Sequence, residues 1–158
     1  MDYKKQLIEK IESFYIDVIE EFKEAELRIM ADSKFRSIFK KKDYDGHIDT
    51  LRACKKQVLA IESDSRSIPE DDTEAHEVVR RFERCLVIFA KLCDDYVQMQ
   101  LLLKKKSEKE PVKFSQYNDM FKKVNETRAS LNDALHELDI VYTDYTYDEN
   151  EEPYEFLK

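Results

Sequence analysis

Three histidines, three cysteines and an acidic, tyrosine-rich end are the residues of this chain whose types could do chemistry. The histidines are His47, His76 and His136. A carboxylate-bridged two-metal site in a helical bundle needs Glu-x-x-His on two separate helices. Only Asp133-x-x-His136 approaches that pattern, so no metal and no other cofactor is expected. The nearest Arg followed by a His on one predicted helix is Arg128 with His136; seven residues lie between them, which gives no reason to expect RNA cleavage. Gly46 is the only glycine, which leaves no glycine-rich phosphate loop. Cys54, Cys85 and Cys93 fall on or near apolar stripes and read as structural thiols rather than nucleophiles. No catalytic residue emerges, and the chain does not read as an enzyme.

Binding chemistry is better represented. The stretch YTDYTYDENEEPYEF, Tyr142 to Phe156, interleaves four tyrosines and a phenylalanine with six carboxylates and holds no base. Aromatics can anchor in a partner's pockets while carboxylates steer toward a basic surface. Tyr142 and Tyr145 continue a helical stripe and read as core. Tyr147, Asp148, Glu149, Glu151, Glu152, Tyr154 and Phe156 are the candidate partner-binding residues. The opposite chemistry lies in KFRSIFKKK, with Lys34, Arg36, Lys40, Lys41 and Lys42 around Phe35 and Phe39. With Lys104, Lys105 and Lys106 these bases form a candidate phosphate-binding set.

The elements that must position these residues are helices. One glycine and three prolines among 158 residues leave few tight turns, and 39% of residues are charged. Apolar residues recur every three to four positions, the helical period. The spacing predicts helices through Leu7–Ile29, through Ile48–Ile61, from about Glu70 to Lys106, and through Tyr117–Tyr142. Asp45-Gly46, Ser67 and Ser115 are the expected start signals. The fold class is all-α, an antiparallel up-down-up-down bundle of four long amphipathic helices, with a short extra helix near 34–42. Residues 1–145 form the bundle domain and 146–158 an acidic aromatic tail. CLVIFA at 85–90 runs right round the third helix. That helix is either central and widely covered, or its outer face meets a second copy or a partner.

Such a bundle segregates charge by end. The 34–42 and 104–113 stretches bring their lysines to one pole. Residues 62–77, with seven acids and one arginine, share the other pole with the tail. Net charge is −8, which argues against a dedicated nucleic-acid binder. No apolar run approaches the ~20 residues of a membrane span. Free thiols point to the cytoplasm. The reading is a non-enzymatic protein–protein interaction module (adaptor, inhibitor or small subunit of a complex) that binds a basic partner surface through its acidic, tyrosine-rich pole. Self-association through helix 3, or head to tail, is open. The alternatives are a nucleic-acid-associated subunit using the basic pole, and a metal-dependent helical-bundle enzyme.

Overall fold

A computed structural model describes residues 2–32, 42–62 and 65–147. Among these the chain is all helical, and four helical rods pack against one another. The first rod is α1 (Tyr3–Ser13), a π-helical stretch (Phe14–Ile19) and α2 (Glu20–Asp32). It is followed by α3 (Tyr44–Leu59), a 3₁₀ turn (Ser65–Ser67), α4 (Thr73–Ser107) and α5 (Phe114–Thr146). No described helix is long and apolar enough to cross a membrane. The short extra helix expected near 34–42 lies almost wholly outside the described residues, and so does most of the 146–158 tail.

The apolar period puts one stripe of each rod inside. Leu7, Ile11, Phe14, Phe22 and Ile29 of the first rod are buried, as are Leu51 and Val58 of α3 and Leu131 and Leu138 of α5. The π-helical stretch interrupts the 3.6-residue period with a wider turn, and there the adjacent Val18 and Ile19 are both buried. Helix α4 is the centre, packed most extensively on α5 and next on α3. Phe14 sits edge-on to Phe82 (5.4 Å) and Phe89 (6.0 Å), and Phe22 lies 4.7 Å from Phe89. Along the run at 85–90, Cys85, Leu86, Phe89 and Ala90 are buried and Ile88 is half-buried, while Val87 is 70% exposed.

Each helix start departs from the expected signal. The cap of α3 is Asp43, whose carboxylate accepts from the Gly46 amide at 3.0 Å. Gly46 therefore belongs to the first turn, where a Cβ would collide with the Asp43 carboxylate. Helix α4 is capped by Asp72, which accepts from the Ala75 amide, rather than from Ser67. Ser67 instead ends the 3₁₀ turn, and the Pro69 carbonyl takes the Asp72 amide at 3.1 Å. Helix α5 starts one residue before Ser115; the Gln116 side chain reaches back to accept from the Lys113 amide at 2.8 Å. In every case a carbonyl or carboxylate oxygen satisfies an amide that the helix itself leaves unpaired.

Candidate functional site: two poles, a polar belt and a basic seam

Long-range contacts group the helix ends into two poles. At one pole the Tyr3 hydroxyl donates to Asp72 at 2.6 Å, joining the start of α1 to the start of α4. Tyr145, near the end of α5, joins them there, with the Lys4 ammonium 4.7 Å from its ring centroid. Tyr145 is buried, and burial raises its pKa to about 12, helped by the charges of Asp72, Asp2 and Glu74. Asp72 is held below its ordinary value by the Tyr3 hydroxyl. Tyr142 is half-buried and donates to Glu12 at 3.1 Å. Tyr147 closes α5 and is 69% exposed. It is the one candidate partner-binding residue among those described; Asp148, Glu149, Glu151, Glu152, Tyr154 and Phe156 lie outside them.

At the other pole Lys104 reaches Asp45 at 2.9 Å, joining the end of α4 to the start of α3. Of the candidate phosphate-binding set, Lys42, Lys104, Lys105 and Lys106 are described, and the structure gathers Lys104–Lys106 in the last turn of α4. Lys34, Arg36, Lys40 and Lys41 lie outside the described residues. Aromatics absent from that set stand at this end: Phe114, 59% exposed, lies 6.1 Å from Tyr117, which stacks on Phe121 at 6.0 Å.

Between the poles lies a polar belt that sequence reasoning missed. Glu26, nearly buried, accepts from the Tyr96 hydroxyl at 2.6 Å and pairs with Arg128 at 2.9 Å, tying α2, α4 and α5 together. One residue along α4, buried Asp95 accepts from the Thr127 hydroxyl at 2.6 Å and pairs with Lys123 at 3.4 Å. The signal was present, because Asp95 stands three residues after buried Leu92 and four before buried Met99. Chemically the belt is quiet. Burial, then Glu26, pushes the Tyr96 phenol well up, so it stays protonated. Every oxygen of the two carboxylates is engaged.

The thiols are quiet as well. Cys54, Cys85 and Cys93 are free and buried. Burial raises all three, Cys85 to about 12, which keeps them as thiols rather than thiolate nucleophiles. His76 contacts the Pro69 carbonyl at 3.1 Å at the acidic pole, His47 begins α3 at the basic one, and His136 is exposed. Among the described residues, no three His, Cys, Asp or Glu side chains gather as a metal site.

Among the surface grooves of the described residues, two differ in character. One, of about 510 Å³ between α1 and the end of α3, is lined by Gln6, Glu9, Lys10, Ser13, Ile61 and Glu62 among others. The second is a seam of about 320 Å³ between α4 and α5. Arg84, Ile88 and Lys91 line it from α4, and Lys123, Glu126, Thr127 and Ser130 from α5. Compared with known proteins, the chain matches no family model, no curated protein and no solved structure.

Proposed function

We propose that this protein is a non-enzymatic interaction module, an adaptor, inhibitor or small subunit, whose acidic, tyrosine-rich pole binds a basic surface on another protein. One observation carries the reading: Tyr147 stands 69% exposed at the pole where Asp2, Asp72 and Glu74 crowd the neighbouring Tyr145. An exposed aromatic beside a concentration of carboxylates is the composition of an anchor with steering charge. Asp148, Glu149, Glu151, Glu152, Tyr154 and Phe156 extend that composition in sequence. The architecture that serves it is an up-down-up-down antiparallel bundle. Support for that order comes from the ion pairs, which join Asp45 to Lys104 and Lys55 to Asp94 between α3 and α4, and Arg81 to Glu137 and Lys123 to Asp95 between α4 and α5. Free buried thiols fit a reducing compartment, and the reading puts the protein in the cytoplasm.

The test is a pull-down from host lysate with the full chain and with a chain stopped after Tyr145. The expected result is a partner held by the full chain, lost by the short one, and released by salt. A partner held equally by both would overturn the reading. A second reading, single-stranded nucleic acid bound at the basic pole, draws its support from exposed Phe114 beside the stacked pair Tyr117 and Phe121, on the helix that follows Lys104–Lys106. Salt-sensitive binding of an RNA oligonucleotide, weakened by Phe114→Ala, would favour it.

A further inference from the structure

The α4–α5 seam has more basic capacity than its own carboxylates use. Glu137 is held at 2.7 Å by Arg81, which leaves Arg84 a long 3.4 Å contact and most of its five donors for something else. Glu126 leans to Lys122 at 3.9 Å, and buried Asp95 is occupied by Thr127 and Lys123. Lys91 is exposed and has no ion-pair partner among the described residues. Between Arg84 and Lys91 lie half-buried Ile88 on the seam and 70%-exposed Val87 beside it. Read from the acidic pole, the seam therefore offers a cation, an apolar step and a second cation.

We propose that this seam is the docking surface for the chain's own acidic segment, Asp148 to Phe156, which competes there with the basic partner of the reading above. The sequence of the segment is complementary in order: carboxylates at 148–152, then Tyr154, Glu155 and Phe156. Its reach matches too. The end of α5 is level with the start of α4, because Tyr145 and Asp72 share the acidic pole. From Asp72, Arg84 lies ~18 Å along α4, Ile88 ~24 Å and Lys91 ~28 Å. Fully extended from Tyr147, a chain spans at most ~17 Å by Glu152, ~23 Å by Tyr154 and ~30 Å by Phe156, less what the turn back from the end of α5 uses. That reach is enough for the segment's aromatic end to meet the seam at Arg84 and Ile88. Docking is self-limiting in strength, since the cations are half exposed and screened by salt, and that is what a displaceable segment requires. The docking itself is independent of any partner. Only the competition rests on the proposed function.

Photo-crosslinking of the purified full chain, carrying p-benzoylphenylalanine in place of Tyr154, tests the docking with no partner present. The expected product is a crosslink within one chain to residues 84–91 or 123–130, unchanged on dilution. Arg84→Glu with Lys91→Glu should cut its yield at least ~5-fold while the helical circular dichroism stays constant. If that double variant unfolds, Arg84→Gln with Lys91→Gln gives the same reading. Crosslinks chiefly between two chains, crosslinks scattered over the surface, or a yield indifferent to the charge changes would each overturn the proposal. A partner that binds the full chain while these crosslinks fail would leave the proposed function standing and remove the competition.

Discussion

Charges at mid-height and charges on the seam and poles are built from the same residue types, yet their surroundings differ in every respect that matters. Glu26, Arg128 and Asp95 are largely or fully withdrawn from water, and each has a matched partner at hydrogen-bond or ion-pair distance. Arg84, Lys91 and Lys105 stand in solvent and are matched loosely or serve a helix end. A buried charge must be satisfied where it lies, because desolvation costs more than any single contact returns. It therefore fixes how α2, α4 and α5 sit against one another. An exposed charge is already satisfied by water, contributes little to stability, and is free to answer another surface. Position, not residue type, divides structural charge from available charge in this molecule.

The largest expected effect is on the core that both sets of charges depend on. Phe89 is fully buried against Phe14 and Phe22, so Phe89→Ala should cost about 3–5 kcal/mol, read as a fall in the urea midpoint. A loss under ~1 kcal/mol would mean that α4 is not the packing centre. Next comes the belt. Glu26→Ala leaves the Tyr96 hydroxyl and the Arg128 guanidinium facing each other without their shared acceptor, and should cost about 1–3 kcal/mol. Pairing it with Tyr96→Phe should recover part of that loss, because the stranded hydroxyl is gone. Strict additivity of the two changes would show that the belt is not a network.

Sequence periodicity exposed the helices, because burying one stripe of each rod is the dominant requirement and it leaves a repeating mark. Starts were less legible. Asp43, Asp72 and Gln116 act through side-chain oxygens folded over amides, and a neighbouring Ser or Asp-Gly looks equally suitable until the backbone path is known. The Asp94–Asp95 pair shows what pattern can and cannot supply. The stripe singles out Asp95 as the inward one, but nothing local reveals Thr127 and Lys123 as its partners on another helix. The seam was invisible for the same reason. Arg84, Ile88 and Lys91 are an ordinary helical triplet until Lys123, Thr127 and Ser130 are set beside them.

A pH titration sharpens the comparison with a smaller effect. Tyr142 and Tyr145 have pKa values raised to about 12, and burial is the leading cause for both. A phenol whose folded value lies above its unfolded value near 10 keeps its proton in the folded state while the unfolded chain loses it. Stability should therefore be fully present below pH ~10 and decline as pH rises toward ~12. Tyr142→Phe with Tyr145→Phe should flatten that decline, measured as thermal midpoints across the window. An unchanged slope would assign alkaline unfolding to other groups, with Tyr15, Tyr96 and the thiols the next to examine.

The smallest effect carries the comparison's other half. Lys104 and Asp45 form a close ion pair at 2.9 Å, as short as the Glu26–Arg128 contact, but Asp45 is mostly exposed and Lys104 partly so. If distance alone decided an ion pair's worth, Lys104→Ala and Arg128→Ala would weaken the fold alike. If desolvation decides it, Lys104→Ala should leave the urea midpoint within error at physiological salt, while Arg128→Ala lowers it clearly. Each substitution removes one cation from a contact of equal length, and the largest difference between the two contacts is their burial. Equal losses would undo the division between architectural and available charge on which the seam and pole assignments both depend.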